Sequence, residues 1–335
     1  MHIHMAARRP RRAHTHAAGS CARRYLFLAS GARGEAVLAR NVALQQSLGA
    51  AVELLSPRDI AGRFPWLSTD GVARGALGVA NEGWFDPWQL LGHFKAGAAA
   101  RGARYVHGEV RRVDVLRGRA TAVDVIAPDG STATLPADYV VVAGGPWSAR
   151  VTAAAGVAPV PVAPRRRCVF SFSCAPGVVR DCPLVVDPSG QYFRREGNST
   201  SAFITGASPP AEADPDDWEE HGGGPPEVDH ALWEGLWAGA AARVPHFEGV
   251  RATGAWAGYY EYNTVDQNGI IGPHSECDNL LLACGFSGHG IQQSPAVGRA
   301  VAELILHGEY KTIQLGRFGF GRFARNELVI EENVV

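Results

Sequence analysis

A glycine-rich loop between an apolar strand and an amphipathic helix constrains this sequence more than any other feature. Residues 280–284 (LLLAC) are apolar throughout, which is typical of a strand covered on both faces. The loop 285–290 (GFSGHG) follows at once, and Pro295 is predicted to begin a helix that ends at Gly308. Glycines let a backbone approach a ligand closely, and the helix start adds partial positive charge. The loop is therefore a candidate site for a group that gains negative charge, the alternative being a tight turn without a ligand.

A second corner of the same kind lies in the middle of the chain. Residues 139–143 (YVVVA) form another unbroken apolar run, and the turn 144–146 (GGP) follows directly. A short helix is predicted over residues 148–155. Strand, glycine turn and helix in this order bring backbone amides to a phosphate. The two corners together predict an α/β architecture.

The composition argues against several other classes of protein. The formal net charge of -1 gives no basis for a nucleic-acid partner. None of the six cysteines forms a CxxC pair and no histidine cluster completes a zinc set, so we expect free thiols and no metal. No stretch reaches the roughly 18 to 20 apolar residues of a membrane span, so we expect no transmembrane segment.

Three stretches outside the corners have distinct patterns. Residues 1–24 contain six arginines and no acid, which fits a mitochondrial transit peptide, a disordered arm or a misassigned start equally well. Residues 159–204 read as short strands separated by turns, which indicates a second, mostly antiparallel sheet. Residues 207–229 are rich in Pro, Gly, Asp and Glu, which predicts an exposed loop without a catalytic role.

The corners resemble the flavin-binding segments of a known family. Residues 285–290, followed by residues 292–302, are similar to the C-terminal flavin-binding segment of the D-amino-acid-oxidase/sarcosine-oxidase family, and residues 140–148 are similar to its middle Ala-Gly-x-Trp-Ser motif. Residues 108–110 resemble the position whose backbone meets the adenine. The resemblance implies an FAD site formed by Val110, Ala143, Gly144, Gly145, Trp147, Gly285, Ser287, Gly288, His289, Gly290, Ile291 and Gln292.

The same resemblance implies the fold. It is an α/β FAD-binding domain of the D-amino-acid-oxidase type, interleaved with an antiparallel-sheet (α+β) substrate domain. In such a fold the corners near Gly145 and Gly288 converge on a single isoalloxazine-bearing nucleotide. The implied boundaries are 25–80 and 156–262 for the substrate domain, 81–155 and 263–312 for the FAD-binding domain, and 313–335 for a C-terminal extension.

Two departures from the family pattern matter. The family opens with a Rossmann strand, a GxGxxG turn and an acidic residue that holds the ribose, and no such segment precedes Tyr25. The GxGxxA run at residues 319–324 is too near the C-terminus to start a βαβ unit, so we expect the FAD-binding domain to be incomplete. Bacterial sarcosine oxidases attach the flavin through a cysteine at the position of Tyr259. Because a phenol cannot form that thioether, we predict non-covalent FAD.

Substrate-binding residues give weaker signals. Family members oxidise amino acids or N-methyl amines and hold the carboxylate with an arginine. Arg194 and Arg195 alternate on a predicted strand, so only one can face the flavin; we favour Arg194, although a strand-surface role suits either. Tyr259 and Tyr260 are candidates to line the site. Residues 165–167 (RRR) are interpreted as a solvated edge.

Longer motifs resemble one branch of the family. Residues 81–88 (NEGWFDPW), 192–197 (YFRREG) and 255–264 (AWAGYYEYNT) are similar to a mitochondrial member that assists assembly of respiratory complex I. The resemblance implies an oxidoreductase-like protein on the matrix side of the inner membrane, with complex I subunits or assembly intermediates as partners. The alternative is a flavin-dependent amine or amino-acid oxidase or dehydrogenase with a small amine as substrate.

Overall fold

The computed structural model describes residues 24–210, 213–217 and 226–331, so the predicted N-terminal arm lies outside it except for Arg24. None of the helices in these ranges has the length and apolar character that a membrane crossing requires. In chain order the elements are β1 (Tyr25–Ala29), α1 (Gly31–Ser47), β2 (Val52–Leu55), α2 (Pro57–Arg63), β3 (Arg74–Gly78), α3 (Pro87–Ala99), β4 (Glu109–Leu116), β5 (Arg119–Ile126), β6 (Thr132–Pro136), β7 (Val140–Val142), α4 (Ser148–Ala154), β8 (Val162–Ser173), β9 (Leu184–Val186), β10 (Gln191–Arg195), β11 (Ala202–Ala207), α5 (Leu232–Arg243), β12 (Ala252–Asn263), β13 (Ile270–His274), β14 (Cys277–Cys284) and α6 (Gly290–His307).

The largest sheet has eight strands in the order β12-β8-β11-β10-β9-β1-β3-β2, antiparallel except for the pair β1 and β9. Side chains alternate between its faces because the side-chain period of a strand is two. Leu26 and Leu28 join the core beneath α2 and α5, whereas Phe27 faces α1. Among the strands of the described residues, only β8 pairs with the edge strand β12. Its other edge is therefore open to a loop from elsewhere in the chain.

Two smaller sheets have the strand orders β13-β14-β7 and β4-β5-β6. Within the first, β14 is antiparallel to β13 and parallel to β7. The side chain of Asn279 in β14 bonds both backbone groups of Ala120 in β5, at 2.8 and 2.7 Å, and the Asp138 carbonyl at 2.7 Å. The buried side-chain amide of Asn279 therefore links the sheet β4-β5-β6 to the sheet β13-β14-β7.

Helix α6 begins at Gly290 and not at Pro295, so its predicted start is wrong. Proline lacks an N–H, and the Ile291 carbonyl that this N–H would have bonded accepts from the Ser294 hydroxyl instead, at 2.9 Å. The predicted end is confirmed, since Gly308 has the left-handed φ of +74°. Because the helix starts at Gly290, the last residue of the glycine loop is also the first residue of α6.

Helix α3 is set by local signals. The Asp86 carboxylate accepts from the amides of Trp88 and Gln89 at 2.9 and 3.2 Å, and Pro87 occupies the first helical position. None of its residues is buried against the described part of the chain. The helix therefore forms without an interior face of its own.

Candidate functional site

The two predicted corners lie side by side at one edge of the smaller sheet. β7 and β14 are parallel neighbours with Val142 opposite Leu282, so the glycine turns that follow them meet at the same edge. The Ser148 hydroxyl donates to the Gly145 carbonyl at 2.8 Å and also hydrogen-bonds the Cys284 thiol. This buried hydroxyl joins the start of α4 to the end of β14. The predicted adjacency of the corners is confirmed.

Strand β12 runs past both corners and contacts each of them. The indole of Trp147, in the first corner, meets the Tyr259 ring edge-on with centroids 5.8 Å apart. The Tyr260 hydroxyl donates to the Ser287 carbonyl in the second corner. A Cβ on Gly288 would lie only 2.7 Å from the Tyr260 ring. Successive tyrosines of one strand thus contact the two corners, and they do so from opposite faces of that strand.

The glycine loop has a left-handed backbone and docks on the open edge of β12. The φ angles of Gly285, Ser287 and Gly288 are +70°, +46° and +87°. For Ser287 this conformation costs roughly 1–2 kcal/mol. Two hydrogen bonds offset that cost: the Asn263 amide donates to the Ser287 hydroxyl at 3.0 Å, and the Ser287 amide donates to the Glu261 carbonyl at 3.1 Å. The loop is therefore held in one conformation.

A carboxylate that sequence reasoning missed lies beneath the loop. Glu261 Oε2 accepts from the Gly285 amide at 3.0 Å, and the Phe286 amide also bonds this carboxylate. Burial raises the pKa of Glu261, and the two amides lower it only in part. Glycines mark a loop in a sequence, but nothing in the sequence marks the partner that a distant strand brings under it.

Behind the loop, an ion pair anchors the C-terminal extension. Arg322 donates to both carboxylate oxygens of Asp266 at 2.7 and 2.8 Å, and both side chains are 0% exposed. Asn263 bonds the same carboxylate at 2.9 Å and so connects the ion pair to Ser287. The GxGxxA run around Arg322 forms short 3-10 turns, so its rejection as a dinucleotide fingerprint is confirmed.

The donors left open at the corners suit the planar, electron-accepting edge of a flavin. Helix α6 has no side-chain cap at His289. The amides of Gly290, Ile291 and Gln292 have no protein acceptor within the described residues. A helix of 18 residues concentrates partial positive charge at these amides. In the other corner, Gly145 has open space where a Cβ would be. Glu261 occupies the Gly285 and Phe286 amides of the loop, so the open backbone donors are those at the start of α6.

Of three other predicted cofactor positions, two belong to the first corner and one does not. Ala143 and Gly144 connect β7 to the 3-10 turn Gly145–Trp147 and so belong to the first corner. Val110 lies near the start of β4 and is 38% exposed. None of the contacts that join the two corners within the described residues involves it. Its predicted role at the adenine stays a prediction.

The paired arginines of β10 face opposite sides of the sheet, as strand alternation requires. Arg195 is buried and donates to the Val179 carbonyl, within the core beneath α5. Arg194 lies on the opposite face with its guanidinium over the Trp84 ring, 5.3 Å from the centroid. Of the two arginines, only Arg194 lies on the Trp84 side of the sheet, and its predicted role toward the flavin stays a prediction.

The interpretation of residues 165–167 as a solvated edge is wrong for two of the three arginines. Arg165 and Arg167 are 14% and 16% exposed and pair with Asp216 and Asp214, at 3.0 and 2.7 Å. Both acids belong to the segment 207–229, which was predicted to be an exposed loop. That prediction is wrong for Asp214, which is buried against the sheet.

The tyrosine candidates are not placed as acids or bases. Burial raises the pKa of Tyr260 to about 12, and Arg167, whose guanidinium lies 4.7 Å from the centre of its ring, lowers it only in part. Its phenol is therefore a neutral donor at physiological pH, already committed to the loop. Burial raises the pKa of Tyr259 as well. The structure supports positioning roles for both.

Two side chains next to the corners, Tyr259 and Cys284, are poor nucleophiles for covalent attachment of a flavin. Tyr259 occupies the predicted attachment position. Cys284, at the end of β14, is 0% exposed, and burial raises the pKa of its thiol to about 12. The thiolate is the reactive form of cysteine, so this thiol is inert at neutral pH. The prediction of non-covalent binding rests on Tyr259, and the full burial of Cys284 agrees with it.

Comparison with known proteins agrees with this geometry. The family model described as FAD dependent oxidoreductase matches residues 4–304. The FAD-dependent oxidoreductase domain-containing protein 1 of Xenopus laevis is 41% identical over 336 residues, which span 93% of this chain and 66% of that protein. Human mitochondrial dimethylglycine dehydrogenase is 27% identical over 82% of this chain and 32% of that enzyme. The chain thus spans about two thirds of the length of the frog relative.

A solved structure shows the same fold. L-proline dehydrogenase from P. horikoshii superimposes with a TM-score of 0.78 at 24% identity, over 91% of this chain and 78% of that one. At this level of identity the likeness establishes architecture alone. The predicted interleaving of an FAD-binding domain with an antiparallel sheet is confirmed.

Proposed function

The chain belongs to the family of FAD-dependent oxidoreductases, and on that premise we propose that it forms the flavin side of the FAD site in a protein that serves the assembly or stability of mitochondrial respiratory complex I. The convergence of two glycine corners on β12 carries the flavin part of this proposal. The assembly role rests on the resemblance of the long motifs at residues 81–88, 192–197 and 255–264.

Backbone groups would do most of the work of holding the cofactor. The amides of Gly290, Ile291 and Gln292 would face the pyrimidine edge of the flavin, with Gly145 approaching from the neighbouring corner. When bound, FAD supplies an acceptor for a hydride from a C–H bond. The protein's contribution is orientation, and the Ser148 hydroxyl keeps the two corners in register.

Exposed apolar side chains on α3 and on the edge strand β7 support the proposal of a further unit that completes this site. Trp88, Leu91 and Phe94 of α3 are 79%, 57% and 53% exposed, and Val141 of the edge strand β7 is 40% exposed. Patches of this kind usually mark an interface, and a parallel edge strand accepts another strand readily. A pyrophosphate-binding βαβ unit would cover both.

Flavin titration tests the cofactor proposal. The chain is purified alone and together with the segment of the Xenopus relative that it does not span, and FAD is added to each. We expect a visible flavin spectrum with tighter binding in the complemented sample, and complete release of the flavin on acid precipitation. Absence of bound flavin in both samples contradicts the proposed site. Flavin that stays in the precipitate contradicts non-covalent binding.

The assembly role is tested in cells from which the gene is deleted. We expect the amount of intact complex I on native gels to fall and to recover when the protein is re-expressed. Protease treatment of isolated mitochondria should spare the protein if it lies on the matrix side of the inner membrane. Pull-down from these mitochondria should recover complex I subunits or assembly intermediates. Unchanged complex I after deletion contradicts the role.

A second candidate function is oxidation of a small amine or amino acid. The observation that favours it is Arg194, which presents a guanidinium beside Trp84 on one face of the large sheet. The same guanidinium pairs with Glu196 at 3.1 Å, so a substrate carboxylate would have to displace that partner. Bleaching of the flavin absorbance under nitrogen by N-methyl or D-amino acids would support it. If none of these compounds bleaches the flavin, the oxidation proposal is contradicted and the assembly proposal remains.

A further inference from the structure

The Glu261 carboxylate uses hydrogen bonds that a flavin loop would otherwise leave free. It accepts from the Gly285 amide at 3.0 Å, and from the Phe286 amide. The backbone carbonyl of Glu261 accepts from Ser287 at 3.1 Å. The residue therefore binds three successive amides of the loop. The amides at the start of α6, further along, remain open to a ligand.

The carboxylate carries its charge without a cationic partner. Within the described residues no Lys, Arg or His forms an ion pair with Glu261. The titratable groups near it are Tyr260 on its own strand and Cys284 at the end of β14, and its charge raises the pKa of both. Arg322 is the cation that also acts on Cys284, but its guanidinium is bound by Asp266. Glu261 therefore adds uncompensated negative charge beneath the glycine loop at residues 285–290.

We propose that Glu261 is a positioning residue that fixes the glycine loop for FAD and opposes reduction of the bound flavin. This inference rests on the proposed FAD site. A reduced flavin gains negative charge at the edge that the start of α6 would stabilise. The Glu261 carboxylate acts against that charge from below the loop. The start of α6 would raise the reduction potential of the bound flavin, and the Glu261 carboxylate would lower it.

The first arm of the test needs no cofactor. In Glu261→Ala, hydrogen exchange at amides 285 and 286 should become faster, whereas Glu261→Gln, which keeps an acceptor oxygen, should preserve the protection. Glu248→Gln is the matched control because Glu248 is exposed. Unchanged protection in Glu261→Ala overturns the loop-holding part of the proposal.

The second arm follows stability against pH. The folded state raises the pKa of Glu261 above its ordinary value of 4.5, so the folded state binds more protons and stability falls as pH rises through the folded pKa. Glu261→Gln should therefore have a higher urea midpoint than the wild type at pH 8. The gap should close as the pH approaches 4.5. A gap that does not depend on pH contradicts an ionised Glu261.

The third arm measures the bound flavin in the complemented protein. Glu261→Gln should bind FAD as tightly as the wild type while its reduced form is favoured about tenfold, a rise of about 30 mV in the two-electron potential. A purely structural role would leave the potential unchanged, and that result overturns the electrostatic part. If the wild type binds no FAD, the proposed function fails, and the first two arms still decide whether Glu261 holds the loop.

Discussion

The glycine loop and helix α3 differ in how much of their environment the chain supplies. The loop rests on β12 through several hydrogen bonds, and behind it lies an ion pair that is 0% exposed. Helix α3 has a capped start but no buried residue, and its Trp88 is 79% exposed. The chain itself therefore fixes the glycine loop, whereas the apolar side chains of α3 have no cover among the described residues.

The largest expected effect comes from breaking the ion pair behind the loop. Removing one partner of a buried pair leaves an uncompensated charge and costs about 3–5 kcal/mol. Arg322→Ala should therefore lower the free energy of unfolding by that amount in urea denaturation. Arg325→Ala is the control, because its pair with Glu327 is 56% and 61% exposed and exposed pairs contribute at most about 1 kcal/mol. Equal effects of the two substitutions would mean that the loop is not anchored through Arg322.

The same pair gives the loop region a pH dependence of its own. Burial alone would raise the pKa of Asp266, but hydrogen bonds from Arg322 and Val329 outweigh it and hold the pKa below its ordinary value. Such a group stabilises the fold above its unfolded pKa, and the contribution is lost as pH falls through the folded pKa. Wild-type stability should therefore fall in acid more steeply than that of Arg322→Ala. Parallel curves would contradict this.

Sequence reasoning reached the corners and missed their supports for one physical reason. A glycine loop after an apolar run is a local pattern, so residues 285–290 and 144–146 could be found directly. Glu261 bonds a residue 24 positions away, and Arg322 bonds one 56 positions away. Such partners are chosen by tertiary packing, which has no local signature.

The wrong predictions have two different origins. Arg165 and Arg167 look like a solvated run until Asp214 and Asp216 fold back onto them. Pro295 suggests a helix start because proline suits the first turn. The structure tolerates it further inside because the Ser294 hydroxyl bonds the carbonyl left free. The first error comes from partners about 50 residues away, and the second from a bond to a residue only three positions away.

An intermediate effect is expected from a methyl group in the loop itself. Gly288 has a φ of +87°, and its Cβ would lie 2.7 Å from the Tyr260 ring. The left-handed conformation alone costs an L-residue about 1–2 kcal/mol. Gly288→Ala should lose at least that much stability and also weaken FAD binding in the complemented protein. Gly156→Ala is the control, since Gly156 has a φ of +69° with open space around its Cβ, so it carries the backbone strain without the collision. An equal loss of FAD binding in both variants would show that the loop shape is not specific to the cofactor.

The smallest effect on the chain alone is expected on α3, and that is what separates it from the loop. Leu91→Ser and Phe94→Ser remove apolar surface that is already 57% and 53% exposed, so the free energy of unfolding should change by no more than about 0.5 kcal/mol. Association with the complementing segment should weaken clearly, because there the same side chains become buried. Leu48→Ser, at a position 79% exposed at the end of α1, is the matched control and should leave association unchanged. A large loss of stability in Phe94→Ser would show that α3 already packs in the isolated chain. Unchanged association in both α3 variants would remove this face from the completed FAD site.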